Sequence, residues 1–319
     1  MQTARSGLAS LWSNGTVQLR EALASAVHRL TTRQIPSPRM NAELLLMFTL
    51  GSDRAYLYAH PERNLTADET SQYESALAER IRGVPAQYIT GHQEFWGMDF
   101  IVTPAVLIPR PETEHLIETV LELTKAGEQR RPPQMIRIAD VGTGSACIAL
   151  ALAKELPQAE IHAVDISAAA LEVARANAAR HQLESRIQFH EADLLASFAK
   201  DSFDLVVSNP PYVGESEEDQ VQLEVRKFEP RNAVFAGPKG IEVIERLIPQ
   251  AYAALDQSGW LVMEISGTIV KEVERLLAGW DNVQIIPDLR SIPRVAVARK
   301  RPRGAFRRSL SNRRSQFDS

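Results

Sequence analysis

The sequence has one cysteine and no long apolar run, and each shortage removes a class of protein. The single thiol, Cys147, excludes a disulfide framework and a cysteine-built metal site. It lies in the apolar run ACIALALA from Ala146, where buried packing is its expected role. No stretch is apolar for long enough to cross a bilayer, and the opening MQTARSGLASLWSNG holds no continuous apolar core of the signal-peptide kind. A cytoplasmic location is the expectation. What is present, 319 residues at 44% hydrophobic and 24% charged, suits one large and one smaller soluble domain.

The formal charge of -4 is unevenly spread. From Arg299 onward eight basic residues face only Asp318, a net of +7, which leaves −11 on the rest. An acidic body with a basic tail is not the footprint of a general nucleic-acid binder. The tail, residues 301–319, is polar and nearly free of apolar periodicity. It reads as a disordered segment or as an electrostatic contact to ribosomal RNA.

Residues 1–86 read as a small helical domain. Val17, Leu19, Leu23, Val27 and Leu30 follow the helical period from Thr16 to about Gln34. Ser37-Pro38 reads as a cap and first-turn proline opening a helix that Gly51 stops. Ser52 opens a short piece through Tyr58, and Thr66 with Glu69 fits a capping box. No catalytic constellation appears here, so substrate recognition or packing is its expected work. Residues 87–111 change pattern: EFW, a turn at Gly97-Met98 and DFIV read as a β-hairpin. Pro104, Pro109 and Pro111 then make a stiff connector. Thr113 is expected to cap the next helix.

From residue 112 to 300, strand-like and helical runs alternate. MIRIADVG, EIHAVDIS, RIQFHEAD, FDLVVSNP and GWLVMEIS are separated mostly by helices, which implies a doubly wound α/β parallel sheet. The last two strands, near VQIIPDL and RVAVARK, are joined too closely for a parallel crossover, so the last strand is antiparallel. A seven-stranded doubly wound sheet of that kind is the arrangement of the S-adenosylmethionine methyltransferases.

Chemistry collects at the carboxyl ends of these strands. Asp140, Gly142, Thr143, Gly144, Ser145 and Ala146 form a glycine loop where backbone can approach a ligand, although a tight strand-to-helix turn looks the same. Asp165 ends the next strand, where a carboxylate accepts ribose hydroxyls or caps the following helix; Ser167 is the better placed cap. Asp193, with Leu194, ends the third and is placed for an exocyclic adenine amine. After the fourth strand comes Asn209-Pro210-Pro211-Tyr212. Two prolines remove two donors and leave carbonyls free, Asn209 adds an acceptor, and Tyr212 a flat face. That set suits a planar NH2 group, whereas Asn-Pro-Pro alone is an ordinary turn.

In this position Asn-Pro-Pro-Tyr resembles methyltransferases that act on amide or exocyclic amine nitrogens. QYITGHQEFWGMDFIVTPAVLIPRPETEHL from Gln87 is similar to the linker of the release-factor glutamine N5-methyltransferase family (HemK/PrmC), most specifically at Arg110-Pro111-Glu112-Thr113-Glu114. Phe228-Glu229-Pro230 and AVFAGPKG match further, and the resemblance extends to about Lys300. It implies methyl transfer from S-adenosylmethionine to a glutamine amide in the Gly-Gly-Gln loop of peptide chain release factors, with no metal and no covalent intermediate. Asp140 and the glycine loop would hold the methionyl part, Asp165 the ribose, and Asp193 with Leu194 the adenine. Asn209, Pro210 and Tyr212 would be catalytic, with Asn209 also touching the cofactor; these with Pro211, Arg110 and Glu112 would meet the substrate. The plainer role of Arg110 and Glu112 is an ion pair at the helix from Thr113. Two positions depart from the family pattern, Ala146 and Ala236, where glycine is common; either is tolerated unless it needs a positive φ. The competing activity is N6-methylation of adenine in DNA or RNA, which favours a basic cleft that the acidic body lacks.

Overall fold

The computed structural model describes residues 17–128 and 135–302. The chain divides into two units, one ending at Gly91 and the other starting at His92.

The first unit is helical. Helix α1 (Leu19–Thr32) buries Leu19, Ala22, Ala26 and Leu30 at helical spacing, against α2 (Pro38–Leu50). Leu19 and Leu30 are fully buried, each contributing about 1.5–3 kcal/mol of transfer free energy. Pro38 opens α2 as expected, but Ser37 does not cap it: Ser37 is left-handed (φ 47) and its side chain makes no cap bond. Asn41 Nδ2 instead donates to the carbonyls of Pro36 (2.8 Å) and Ser37 (3.1 Å), and that holds the entry turn. Helix α3 (Arg54–Ala59) is capped by Asp53, not opened by Ser52, because the Asp53 carboxylate accepts from the Tyr56 amide at 2.8 Å. The Thr66/Glu69 capping box does start α4 (Ala67–Ile81), and α5 (Ala86–Thr90) closes the unit. Arg80 and Tyr73 are buried with their polar ends satisfied, Arg80 Nε on Asn41 Oδ1 (2.7 Å) and Tyr73 OH on the Ala42 carbonyl (3.0 Å).

The second unit opens with the hairpin β1 (His92–Phe95) and β2 (Met98–Ile101). Its two-residue turn is Trp96-Gly97, both left-handed (φ 53 and 64), so Met98 belongs to the strand. Helix α6 (Glu114–Glu128) follows a 3-10 turn at Pro111–Thr113. Thr113 therefore sits within that turn, and its hydroxyl goes elsewhere than a helix cap.

The remaining elements alternate: β3 (Arg137–Val141), α7 (Cys147–Glu155), β4 (Glu160–Asp165), α8 (Ala168–Arg180), β5 (Ile187–Glu191) and β6 (Phe203–Ser208). After them come β7 (Val213–Gly214), α9 (Leu223–Phe228), α10 (Arg231–Val234), β8 (Phe235–Gly237), α11 (Glu242–Ala254) and β9 (Leu255–Glu264). Helix α12 (Val270–Leu276) leads to β10 (Asp281–Pro287) and β11 (Pro293–Arg299). The main sheet runs β10-β11-β9-β6-β3-β4-β5, and β11 is antiparallel to both its neighbours. Alternation along the strands sends Ile138 and Val207 to one face, with Leu116, Ile148 and Ala174, and sends Ala139, Val141 and Val206 to the other, with Leu247, Ile248 and Val273. Chain order reverses at β3, which lies between β6 and β4. Crevices form at the carboxyl ends of strands at such a reversal.

Candidate active site

A cavity of about 310 Å³ opens there, within the second unit. One wall is the loop after β3. Gly142 (φ 74), Gly144 (φ 54) and Ala146 (φ 63) are all left-handed, so the loop coils tightly and turns its amides inward. The Gly142 and Thr143 amides donate to the Val164 carbonyl (2.8 and 3.0 Å), which ties the loop across to β4. Asn177, fully buried on α8, braces it from behind: its Nδ2 donates to the carbonyls of Ser145 and Ile101, both at 3.0 Å.

Asp165 sits beside the loop at the end of β4. Its Oδ2 accepts from the Gly144 amide and its Oδ1 from the Ser167 amide, each at 2.9 Å. Both oxygens are thereby aimed and each keeps acceptor capacity for a diol. Burial raises the carboxyl above its ordinary value, against the pull of those amides. Ser167 is the cap of α8, accepting from the Ala170 amide. Asp193 and Leu194 lie on the cavity wall past β5, and Asp193 is ion-paired with Arg246 of α11.

Asp140 is placed differently. It does not reach the cavity but lies behind the loop, with no exposed surface. Its Oδ2 accepts from Thr143 Oγ1 (2.6 Å) and the Ala149 amide (3.2 Å), while Oδ1 is buried with no partner. Burial pushes its pKa up to about 7, and the Asp165 charge adds to the rise.

The opposite wall carries Asn209 and Pro211, with Thr113 and Arg110 beside them. Asn209 Nδ2 donates to Thr113 Oγ1 at 3.1 Å. Pro210 is buried beneath the rim and Tyr212 packs into the apolar layer under α11, its hydroxyl donating to Glu264 at 3.0 Å. Burial, with the Glu264 charge, pushes the Tyr212 phenol well above its usual range, so it stays a donor. Gly240 (φ 80) permits this placement: a Cβ there would lie 2.7 Å from the Tyr212 carbonyl. Glu112 is exposed, outside the cavity. Arg110 pairs with Glu229 (2.5 Å) rather than with Glu112, and Glu229 also accepts from the Ile108 amide at 3.2 Å.

Four residues that shape the site were not singled out for it in the sequence. Glu229 lies in a matching string, Thr113 passes for a cap, Glu264 hides at the end of an apolar strand, and Arg246 is one cation among many on an amphipathic helix. Only the acid inside MEIS was a signal, since an acid in a buried strand needs a partner.

The residues present fit S-adenosylmethionine: the cavity wall carries an aimed acid at Asp165, a second acid at Asp193 and the backbone of the glycine loop. When bound, that cofactor supplies an electrophilic methyl carbon on a sulfonium.

Comparison with known proteins agrees. The PrmC N-terminal domain matches residues 21–91 and the methyltransferase small domain matches residues 123–227. A release factor glutamine methyltransferase of Koribacter versatilis is 54% identical over 285 residues, covering 88% of this chain and 98% of that protein. One from Chlorobaculum tepidum is 41% identical, over 86% of this chain and 94% of its own. Among solved structures, the hMettl16 catalytic domain in complex with MAT2A 3'UTR hairpin 1 is 17% identical, with TM-score 0.50 over 76% of this chain and 85% of its own. That likeness concerns the fold alone. With the sheet, the glycine loop and the Asn-Pro-Pro-Tyr wall already in place, identity over nearly the full length of these relatives shows that the chain belongs to the release factor glutamine methyltransferase family.

Proposed function

We propose that this chain transfers a methyl group from S-adenosylmethionine to the side-chain amide N5 of the glutamine in the Gly-Gly-Gln loop of peptide chain release factors. The observation that carries the reading is Asn209, on the cavity wall at the end of β6 with its Nδ2 anchored on Thr113. That anchoring leaves Oδ1 to accept from a substrate amide. An amide nitrogen is a poor nucleophile because its lone pair is delocalised into the carbonyl. Acceptors at Asn209 Oδ1 and the Pro210 carbonyl would favour developing positive charge on that nitrogen and hold its lone pair in line. Arg110 and Glu112 border the approach, Arg110 held by buried Glu229. Asp165 is assigned to the ribose, Asp193 with Leu194 to the adenine, and the loop with Asp140 behind it to the methionyl end. Residues 1–86 are assigned to substrate recognition.

Transfer of labelled methyl to a purified release factor tests this directly. The label should appear on wild-type release factor and vanish when the loop glutamine is replaced by alanine; label on an oligonucleotide instead would overturn the reading. Release factors work in the cytoplasm, where this chain is placed by the same reading; among the described residues no helix is long and apolar enough to cross a membrane. The basic tail beyond Pro302 lies outside the described residues. We assign it a weak ribosomal RNA contact on charge alone, so its deletion should matter most at low salt.

A further inference from the structure

Glu264, the last residue of β9, has no role in the reading above, yet its side chain is fully buried among apolar strands. An acid in such a place is costly unless several donors meet it. Two do: Thr113 Oγ1 donates to Oε2 at 2.7 Å, and the Tyr212 hydroxyl donates to Oε1 at 3.0 Å. Arg294, on neighbouring β11, adds a favourable charge, and Glu112 an unfavourable one. Thr113 Oγ1 also accepts from Asn209 Nδ2 at 3.1 Å. The three partners come from the turn before α6, the end of β6 and the segment after it.

Burial raises the Glu264 carboxyl above its ordinary value, while the hydrogen bonds from Thr113 and Tyr212 and the Arg294 charge pull it back toward the ionised form. With Glu264 ionised, the directions of these bonds are forced. A carboxylate only accepts, and a hydroxyl has a single hydrogen. Once Thr113 donates that hydrogen to Glu264, it can only accept from Asn209. The one end of the Asn209 amide that can donate is Nδ2, so the carbonyl end is turned away from Thr113. Among the described residues no protein group bonds Asn209 Oδ1.

We propose that Glu264, through Thr113, is a positioning residue that fixes the orientation of the Asn209 amide, so that the site presents a carbonyl and never an NH2 to the incoming amide nitrogen. Through Tyr212, the same carboxylate fixes the other end of the Asn-Pro-Pro-Tyr turn. The inference rests on Asn209 being the acceptor of the substrate amide. Reversal would place two donors face to face, Asn209 NH2 against substrate NH2, and turn an attraction into a repulsion. Glu264→Gln permits that reversal: a glutamine Nε2 can donate to Thr113, which then donates to Asn209 Oδ1. Thr113→Val keeps the volume and removes the relay altogether.

The experiment uses the full chain, with single-turnover methyl transfer to release factor, cofactor calorimetry and melting temperature measured on each variant. Thr113→Val and Glu264→Gln should each slow transfer by about 10- to 100-fold, the usual cost of removing a group that orients a working side chain. Cofactor affinity should move by less than about threefold, while Thr113→Ser should restore most of the rate that valine loses. Thr119→Val, which deletes a buried hydroxyl bonded only to the His115 carbonyl, controls for general loosening and should keep the wild-type rate. In an Asn209→Ala background, Thr113→Val should cost almost nothing more, since there is no amide left to orient. Near-normal rates in both variants, or an undiminished cost without Asn209, would overturn the relay. The relay is also read without turnover. The Asn209 side-chain NH2 should exchange slowly with solvent in the wild type and quickly in Thr113→Val, and equal exchange would sink it. A wild-type chain that labels no release factor but shows this protection would remove the acceptor reading and leave the orientation standing.

Discussion

The two walls of the cavity are built by opposite strategies. The cofactor wall is local: Asp165 is held by amides 2 and 21 residues away, Asp140 by groups 3 and 9 residues away. Its holding groups are largely backbone, so one strand-turn-helix segment supplies most of the wall. The acceptor wall is long-range. Asn209 bonds Thr113 across 96 residues, Thr113 bonds Glu264 across 151, and Tyr212 bonds Glu264 across 52. Its holding groups are side chains, each satisfied only when the whole sheet has formed. On the proposed assignment, cofactor binding is secured by short-range structure, while orientation of the reacting group depends on the complete fold. Damage to one wall should leave the other working.

The largest separation is expected from Asn209→Ala. It removes a preorganised acceptor from the chemical step and touches no cofactor-wall residue, so methyl transfer should fall roughly a hundredfold or more. Cofactor affinity, followed by calorimetry, should change by only a small factor. Equal losses in rate and cofactor affinity would mean the walls are not independent. The reverse experiment is Asp165→Ala, which should weaken cofactor binding by about 1.5–3 kcal/mol, the range for hydrogen bonds to a charged group. Once cofactor is saturating, its transfer rate should return to near the wild-type value. A rate that stays low at saturation would show that Asp165 also serves the acceptor wall.

A smaller effect comes from pH and separates the walls without mutation. Asp140 is held at about 7 by burial, with its unpartnered Oδ1 beside the loop. A cation bound near that loop favours the ionised acid, so binding must release a proton wherever Asp140 is protonated. S-adenosylmethionine should therefore bind with constant affinity well above pH 7 and more weakly below it, by at most about tenfold per pH unit. The demethylated product, a neutral thioether, should show little of this slope. For folding the sign is opposite. The raised pKa means the native state keeps a proton that the unfolded chain loses near 3.8, so this group's contribution is complete below that value and is lost as pH rises through 7. Asp140→Asn should flatten both curves, and an unchanged slope would assign the proton to another group.

The same contrast explains what the sequence disclosed. The sheet, its antiparallel last strand, the glycine loop and the strand-end acids follow from periodicity and turn chemistry, which act over a few residues. The Asn-Pro-Pro-Tyr string was visible because proline constrains its own backbone. What supports it was not visible. Thr113 looks like a helix cap because nothing nearby reveals a glutamate 151 residues on. Arg110 looks like the partner of Glu112, two residues away, until the fold brings up Glu229, which is better shielded from water. Ser37 and Ser52 look like caps because the competing groups, Asn41 and Asp53, are equally plausible on paper. Local rules cannot choose between two local solutions of similar energy.

The smallest expected effect concerns the position where the cofactor wall breaks its own backbone rule. Ala146 and Ala236 are the two departures from the pattern that the resemblance implies, but only Ala146 adopts a positive φ, 63° at the start of α7. A left-handed alanine costs about 1–2 kcal/mol relative to a relaxed backbone, so Ala146→Gly relieves that strain. Two terms oppose the gain. The Ala146 methyl is fully buried in the layer against α7, and losing a buried carbon of that size costs about 0.8 kcal/mol. Glycine also adds freedom to the unfolded chain, about 0.4–1 kcal/mol. The sums nearly cancel, which accounts for alanine being accommodated here. Ala146→Gly should therefore leave the urea midpoint within about 0.5 kcal/mol of wild type, and the loop amides, already fixed by Gly142, Gly144 and the Val164 carbonyl, should bind cofactor as before. A stabilisation above about 1 kcal/mol would show that the methyl contributes little packing. A comparable loss would show that the left-handed strain is already relieved by the capping geometry of α7.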